Sequence, residues 1–544
     1  MRKTYILPKL LACACATLLA TACNDAWDEH YAVDPTLNSD KTLWEMIEDD
    51  PELQGFEQIL KDNGYDELLK SGRYYTVWAP VGETFTDCPD DNIVGKFIEN
   101  HIADYRHVAT GTLRENNGVH MLNGKRLIFK GSKGGYTFNK VNLVEGKYNM
   151  PAKNGMLHKI GGNGEYSTYS SNIWEYLGEN PKLSLFNEYM KSHTDSTINQ
   201  SLSVQGGVNE FGEVEYVDIV YSVSNPWWNR IGQLNNEDST YILIAPTDEA
   251  WKDMYKKAES YFKYDNRAAN EDPDSLQKLM TEEYMCRHLA FSKTVQKNDD
   301  ELISNYNFWA SGKHVTFSGK EKDDLFAGEE KVVELSNGTV HVVNQLNYSP
   351  LTCWLDTITI EGENTYYCWE INNKDKLTDD NIDYNVVTVS QDSSYYENIS
   401  EHRYMIAQER GTKTNVQITY TIPSVYAAKY RVKVVVVPAV IQNPELVDLK
   451  PNPLKMKFSF PKEDGVGMTD VWTAEYKYTD YNYQKIDTLI FKATNGDEFV
   501  TIPHCEYGVA EPKTQLAIYS NYSSRADALD RTLRIDCIIL EPIE

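Results

Sequence analysis

The sequence predicts an α+β chain in three parts: two tandem copies of one mixed α+β domain, followed by an all-β sandwich or jelly-roll domain. Three observations predict it. Four short sequence blocks recur in the same order within the first two thirds. Near Glu363 the pattern changes from helical spacing to closely spaced short strands. At 544 residues and 41% hydrophobic content the chain is long enough for several separate cores.

The chain opens as a secretory leader. Arg2, Lys3 and Lys9 precede an apolar run from Leu10 to Ala22, and small residues lead into Cys23. That order of charged, apolar and small residues defines a signal peptide, here 1–22. The run falls short of the ~20 residues that a bilayer-spanning helix needs. Leu19-Ala20-Thr21-Ala22-Cys23 resembles a bacterial lipobox, with Leu one place further from the cysteine than is commonest. The resemblance implies cleavage before Cys23, lipidation of its thiol, and an anchored linker over 23–39. The acidic stretch that follows, Asn24 to His30, is similar to those of surface-exposed lipoproteins from glycan-degrading bacteria.

The duplication organises 40–161 and 171–361. Leu43-Trp44-Glu45 with Pro51, Leu53 and Phe56 returns as Ile173-Trp174-Glu175 with Pro181, Leu183 and Phe186. Tyr75 to Pro80 returns as Tyr241 to Pro246, and the longer offset places an insertion near 192–239. Asn100-His101-Ile102 matches Arg287-His288-Leu289, and Asn154-Gly155-Met156-Leu157-His158 matches Asn337-Gly338-Thr339-Val340-His341. Leu43, Trp44, Ile47, Leu53, Phe56, Ile59 and Leu60 have helical spacing. Thr76 to Trp78 reads as a buried strand that Pro80 stops. Asp248 and Glu249 suit a helix N-terminus. Phe97–Tyr105 and Met280–Phe291 read as helices, and Val119–Phe129 as a hairpin with a type I′ turn at Asn123-Gly124.

An Ala-Pro strand followed by an aromatic residue, a helix carrying a histidine, and Asn-Gly-x-x-His before a closing strand together resemble the fasciclin domain. Phe85 and Trp251 supply the aromatic residues. The first copy departs from the pattern at Val81-Gly82-Glu83 and at its closing Lys159-Ile160-Gly161. The resemblance implies adhesion or interaction modules without a common cofactor. It also implies that His101, His158, His288 and His341 serve packing rather than metal binding.

Residues 363–544 read as strands, among them Tyr384–Ser390, Lys429–Val440, Leu454–Phe460 and Thr532–Leu540. The Tyr430–Val437 stretch and the ending Ile535–Pro542 are weakly similar to galactose-binding-type jelly rolls. Flat rings on such a sandwich suit sugar stacking, which nominates Tyr395, Tyr396, Tyr478, Tyr481 and Tyr483, with packing aromatics as the plainer alternative. An acidic loop at 379–383 lacks the glycine and distant glutamate of an EF-hand.

The formal charge is −28, and removal of Arg2, Lys3 and Lys9 with the leader leaves −31. That field excludes nucleic acid as a partner and disfavours anionic lipid beyond the anchor itself. Six cysteines follow Cys23: Cys88, Cys286, Cys353, Cys368, Cys505 and Cys537. Cys353–Cys368 and Cys505–Cys537 are possible pairs, but their scatter favours buried free thiols. No HExxH or GxSxG occurs, and no catalytic residue, metal ligand or cofactor is nominated. The expected function is a lipid-anchored, outward-facing binding or adhesion protein of the bacterial outer membrane, accessory to a glycan-capture or transporter complex. The rival expectations are an adhesion protein with protein partners alone, and an enzyme whose site lies in the sandwich.

Overall fold

The computed structural model describes residues 39–82, 91–111, 113, 117–132, 135–162, 165–267, 272–296, 298–307, 314–371, 374–375, 382–410, 416–474, 485–506, 511–520 and 529–544. They fall into two units, one of 1–172 with 236–238 and 335–337, the other of 173–235, 239–334 and 338–544. Cys23, Phe85, Cys88, the 379–381 loop, Tyr478, Tyr481 and Tyr483 lie outside the described residues.

In the first unit the helix Leu43–Glu48 starts at Thr42, whose side chain accepts from the Glu45 N–H while the Glu45 carboxylate accepts from the Thr42 N–H. This reciprocal cap satisfies two otherwise orphan donors. The helix turns Leu43, Trp44 and Ile47 onto Leu53, Phe56 and Leu60 of the next segment and onto Val77 and Leu157 of the sheet. Each such burial contributes roughly 1.5–3 kcal/mol. The sheet runs Ile102–Asp104, Tyr75–Pro80, Gly155–Ile160, Met150–Ala152. Its two central strands are parallel, with Tyr75 opposite Gly155 and Pro80 opposite Ile160. A Cβ on Gly155 would sit 2.0 Å from the Tyr75 carbonyl oxygen, so only glycine permits this approach. Asn154 fixes the entry to the strand. Its Oδ1 accepts from the Leu43 N–H at 2.8 Å, and its Nδ2 donates to the carbonyls of Leu69 and Ser71 at 2.7 Å each.

Two elements of this unit differ from the sequence expectation. The helix expected over Phe97–Tyr105 ends at Glu99, and Ile102–Asp104 is an edge strand paired with Tyr75–Val77. The hairpin turn is not type I′. Gly124 alone has positive φ (77°), and its N–H donates to Met121 at 2.9 Å, a type I turn followed by a left-handed glycine.

The second unit repeats the same frame. Tyr241–Pro246 lies parallel to Gly338–Val343, with Tyr241 opposite Gly338 and Pro246 opposite Val343, and antiparallel to Ala290–Ser292. Gly338 makes the same close approach, 2.1 Å from a notional Cβ to the Tyr241 carbonyl oxygen. Thr247 caps the helix Asp248–Ala258 through the Ala250 N–H, which confirms the acidic helix start. The helix expected over Met280–Phe291 runs instead over Pro273–Cys286, because Pro273 and the Asp272 cap set its start. The inserted segment forms a ribbon in which Asp195–Ile198 pairs with Tyr221–Ser224 and Val204–Val208 with Val214–Asp218.

The rest of this unit is a sandwich of antiparallel sheets. One sheet runs Ile382–Thr388, Arg403–Glu409, Leu533–Ile543, Lys429–Val436, Asp487–Ile490, with Ile358–Glu361 beside Leu533–Ile543 and Val500–Thr501 beside Lys429–Val436. The other runs Lys374–Asp375, Cys368–Ile371, Gln417–Thr421, Gln515–Ser520, Leu454–Pro461, Met468–Trp472. Ile358–Glu361 is thus part of the sandwich, which begins ahead of Glu363. Tyr430, Val432 and Val434 point into the core while Lys429, Arg431 and Lys433 alternate outward, as the period of a strand requires.

Within this unit the sandwich docks on the preceding domain. Tyr284 and Tyr426 share a hydroxyl–hydroxyl hydrogen bond at 2.5 Å, and Phe262 and Trp354 pack around Tyr284. The Cys505 N–H donates to Lys263 at 2.7 Å, and its thiol donates to the Tyr261 carbonyl at 2.9 Å. Cys286, Cys353, Cys505 and Cys537 are free and buried, which removes Cys505–Cys537 as a bridge and leaves Cys353 unpaired.

Candidate functional site: a groove on the outer sheet face

Leu533–Ile543 carries a β-bulge at the middle of its sheet. Val434 faces Ile538 and Val436 faces Ile535, so Asp536 and Cys537 together oppose one residue, Val435. A bulge re-aims side chains locally. Here Ile535 and Ile538 both enter the core, while Cys537 and Ile539 lie on the other face beside Thr359, Val435 and Thr488.

That outer face is covered at one end by the segment 389–402. Val389 and Ile399 pack on Tyr404, Ile406 and Val437 in a small apolar cluster apart from the main core, with Tyr395 and Tyr396 against it. Beside the cluster a groove of about 670 Å³ remains, walled by Ser394, Tyr395, Asn398 and Lys485 and floored by Thr359, Thr488 and Ile539. Tyr395 is half-buried, whereas Ser394, Asn398, Thr359 and Thr488 are exposed. An apolar ring beside convergent polar groups is the composition of a small-ligand cleft. Tyr396 does not share that position. Its ring stacks on His402 at 3.7 Å, and its carbonyl oxygen bonds His402 Nδ1 at 2.9 Å, so it supports the wall.

Beneath one end of the groove three carboxylates converge. Asp536 is 2% exposed, and its Oδ1 accepts from the Ser400 N–H at 3.1 Å. Ser400 in turn donates its hydroxyl to Glu361 at 2.8 Å. Glu363 is also buried, 3.5 Å from the Arg403 guanidinium, and neither of its carboxylate oxygens is hydrogen-bonded. Burial, reinforced by the charges of Glu361 and Glu363, raises the Asp536 carboxyl to about 7. Burial likewise raises Glu361 and Glu363, and it pushes the Cys537 thiol up to about 12. Cys537 is therefore no nucleophile at neutral pH. Asp536 borders the groove but is almost fully buried and engaged by the Ser400 N–H, so it shapes the groove more than it offers a contact. Among the described residues no group of three His, Cys, Asp or Glu side chains is arranged to hold a metal ion.

The recurrent histidines occupy structural positions. His101 Nδ1 bonds the Phe97 carbonyl at 2.9 Å, and its Nε2 accepts from the Ser167 N–H at 3.2 Å. His158 bonds the His107 carbonyl at 2.8 Å and stacks on Trp78. His288 bridges Ser304 and the Cys353 carbonyl. Burial lowers all three to about 4, so they are neutral donor–acceptor pegs at physiological pH. His341 differs, with Nδ1 2.5 Å from the Glu329 carboxylate.

The departure at Lys159 also has a physical reason. This lysine is buried and forms ion pairs with Asp50 and with Glu52, the latter at 2.8 Å. Hydrogen bonds from Lys147 and Lys159 hold the Glu52 carboxyl down at about 2. Lys125, beside the hairpin glycine, is spent on a 2.8 Å ion pair with Glu237. Asp383, expected in an acidic loop, lies in the strand Ile382–Thr388, where its carboxylate accepts from Arg410 Nε at 2.7 Å.

Residues 51–162 match the family model of the fasciclin domain. A fasciclin domain pair from the insect cell adhesion molecule Fasciclin I is 13% identical over 56% of this chain and 98% of that chain, with a TM-score of 0.20. A family 11 carbohydrate-binding module from Clostridium thermocellum, in complex with a mixed-linked β-1,3-1,4 tetrasaccharide, is 10% identical over 35% of this chain and 92% of that chain, with a TM-score of 0.17. No curated protein matches the sequence. The chain carries a fasciclin domain at 51–162, and the strands around 241–343 repeat its parallel central pairing residue for residue.

Proposed function

We propose that the protein is a glycan-binding adhesion module, exported, lipidated at Cys23 and held on the outer face of the bacterial outer membrane beside a glycan-capture complex. The leader, the lipobox-like approach to Cys23 and the acidic stretch behind it support the anchoring. The adhesion-type fasciclin domain supports binding rather than catalysis. One observation carries the choice of ligand: the half-buried Tyr395 lines a groove of about 670 Å³ together with Asn398, Thr359 and Thr488. A sugar offers an apolar face to such a ring and hydroxyls to such partners. Tyr478, Tyr481 and Tyr483 join the proposal on sequence alone, their run ending two residues before Lys485 of the groove wall.

The test is calorimetric titration of the full mature chain with a panel of host and plant polysaccharides. Tyr395→Ala should weaken binding by about tenfold or more while the melting curve stays close to wild type. If no glycan binds, or if Tyr395→Ala binds as wild type does, the groove is not the site and adhesion to protein partners becomes the function.

A further inference from the structure

The inserted ribbon of 195–224 is a sheet edge on both sides. Its base and tip each form a sheet of two strands, with no third strand alongside among the described residues. Two-stranded ribbons are marginal in water, and gain stability when a third strand or an apolar face is added. Unpaired N–H and C=O rows on such edges are templates for an incoming strand. The ribbon also exposes apolar side chains that a free surface element has no reason to carry: Leu202 (64%), Val208 (65%), Val217 (75%) and Phe211 at the tip (80%). At ~3.3 Å per residue, its arms from Asp195 to Asn209 reach up to about 45 Å.

Charge decides what fits. Between 195 and 224 stand Asp195, Glu210, Glu213, Glu215 and Asp218, with no lysine or arginine. A second copy would bring the same acidic ribbon from a chain of charge −28. The linker behind Cys23 is excluded for the same reason, carrying Asp25, Asp28, Glu29 and Asp34 and no lysine or arginine up to Asn38. Anionic lipid is repelled likewise.

We propose that this ribbon is a docking edge for an extended, cationic segment of another protein, which adds a strand and pairs its lysines or arginines with the ribbon's carboxylates. Strand addition takes affinity from backbone hydrogen bonds and specificity from alternate side chains. The acidic residues keep copies of the ribbon from pairing with each other while admitting the complementary strand. This inference stands independently of the groove.

The probes are two ten-residue peptides, one alternating lysine with valine and one alternating glutamate with valine, titrated into the full mature chain. The lysine peptide should bind at one site, weaken as salt rises, and slow amide exchange within 204–218. The glutamate peptide should not bind. The double variant E213K/E215K should lose about tenfold or more in affinity, and F211S/V217S should lose affinity without a change in charge. All four positions are exposed, so unchanged circular dichroism spectra are expected of both variants. Equal affinity of wild type and E213K/E215K would mean diffuse attraction to an acidic chain and would overturn the proposal. So would the absence of any binding, or a wild-type dimer in sedimentation that F211S/V217S abolishes.

Discussion

Asp536→Asn should stabilise the sandwich, and the gain should grow with pH. In the folded chain the Asp536 carboxyl titrates at about 7, against an ordinary 3.8, because it is buried beside Glu361 and Glu363. A folded-state pKa raised above the unfolded one means that the folded state holds its proton longer. The stability this contributes is fully present below pH 3.8 and is lost as pH climbs through about 7. At ~1.4 kcal/mol per pH unit, that span amounts to about 4 kcal/mol as an upper bound, and local relaxation reduces it to about 2. Asparagine keeps the Oδ1 acceptor for the Ser400 N–H and removes the negative charge that Asp536 would otherwise carry beside Glu361 and Glu363. Differential scanning calorimetry of the full chain at pH 4, 6 and 8, in chelator, reads the effect. Chelator matters because a hard cation would neutralise the same carboxylates. The two proteins should melt close together at pH 4, and the variant should melt about 4–8 °C higher at pH 8. A variant no more stable than wild type at pH 8, or a gap that does not change with pH, would refute the reasoning.

Two further outcomes follow from the frame and the leader. Gly155→Ala drives a Cβ into the Tyr75 carbonyl and should cost about 1–3 kcal/mol or more in denaturant unfolding; unfolding at the wild-type midpoint would show that the parallel pair tolerates separation. Cys23→Ala should release the protein from membranes or stall its processing, and unchanged partitioning into detergent would remove the lipid anchor.

The sequence spoke clearly where backbone geometry constrains residue choice. Ala-Pro ends the central strand, and Asn-Gly enters its parallel neighbour because the asparagine caps three backbone groups while the glycine admits a carbonyl. The glycine's demand recurs at Gly155 and Gly338, and both asparagines bond backbone carbonyls, so the repeat was readable. Arg403–Glu409 was missed for the opposite reason. Tyr404 to Ala407 are buried on both faces, one under the core and one under the 389–402 cover, so no alternation marks the strand. Helix ends were misplaced at Glu99 and Cys286 because the apolar periodicity continues unbroken into the next edge strand. The groove was illegible as a site. Thr359, Tyr395, Thr488 and Ile539 come from separate segments, and the bulge at Asp536-Cys537 that shapes the floor leaves no sequence pattern. Tyr395 and Tyr396 were nominated as a pair, yet one lines the groove and the other braces it.

Leu533–Ile543 pairs with Ile358–Glu361, Arg403–Glu409 and Lys429–Val436 at once, and it follows all three in sequence. Ile358 waits for Leu540, a partner 182 residues downstream. Pairings this distant pay their loop-closure entropy before any contact rewards it, which makes assembly slow. The two earlier domains close over shorter spans, since Tyr75 meets Gly155 and Tyr241 meets Gly338. During synthesis they can form in order, while the sandwich stays an open set of strands with unpaired edges until its last strand emerges. A chain halted a dozen residues early would therefore not be a shortened sandwich but an unfolded one, its exposed strands open to aggregation and proteolysis.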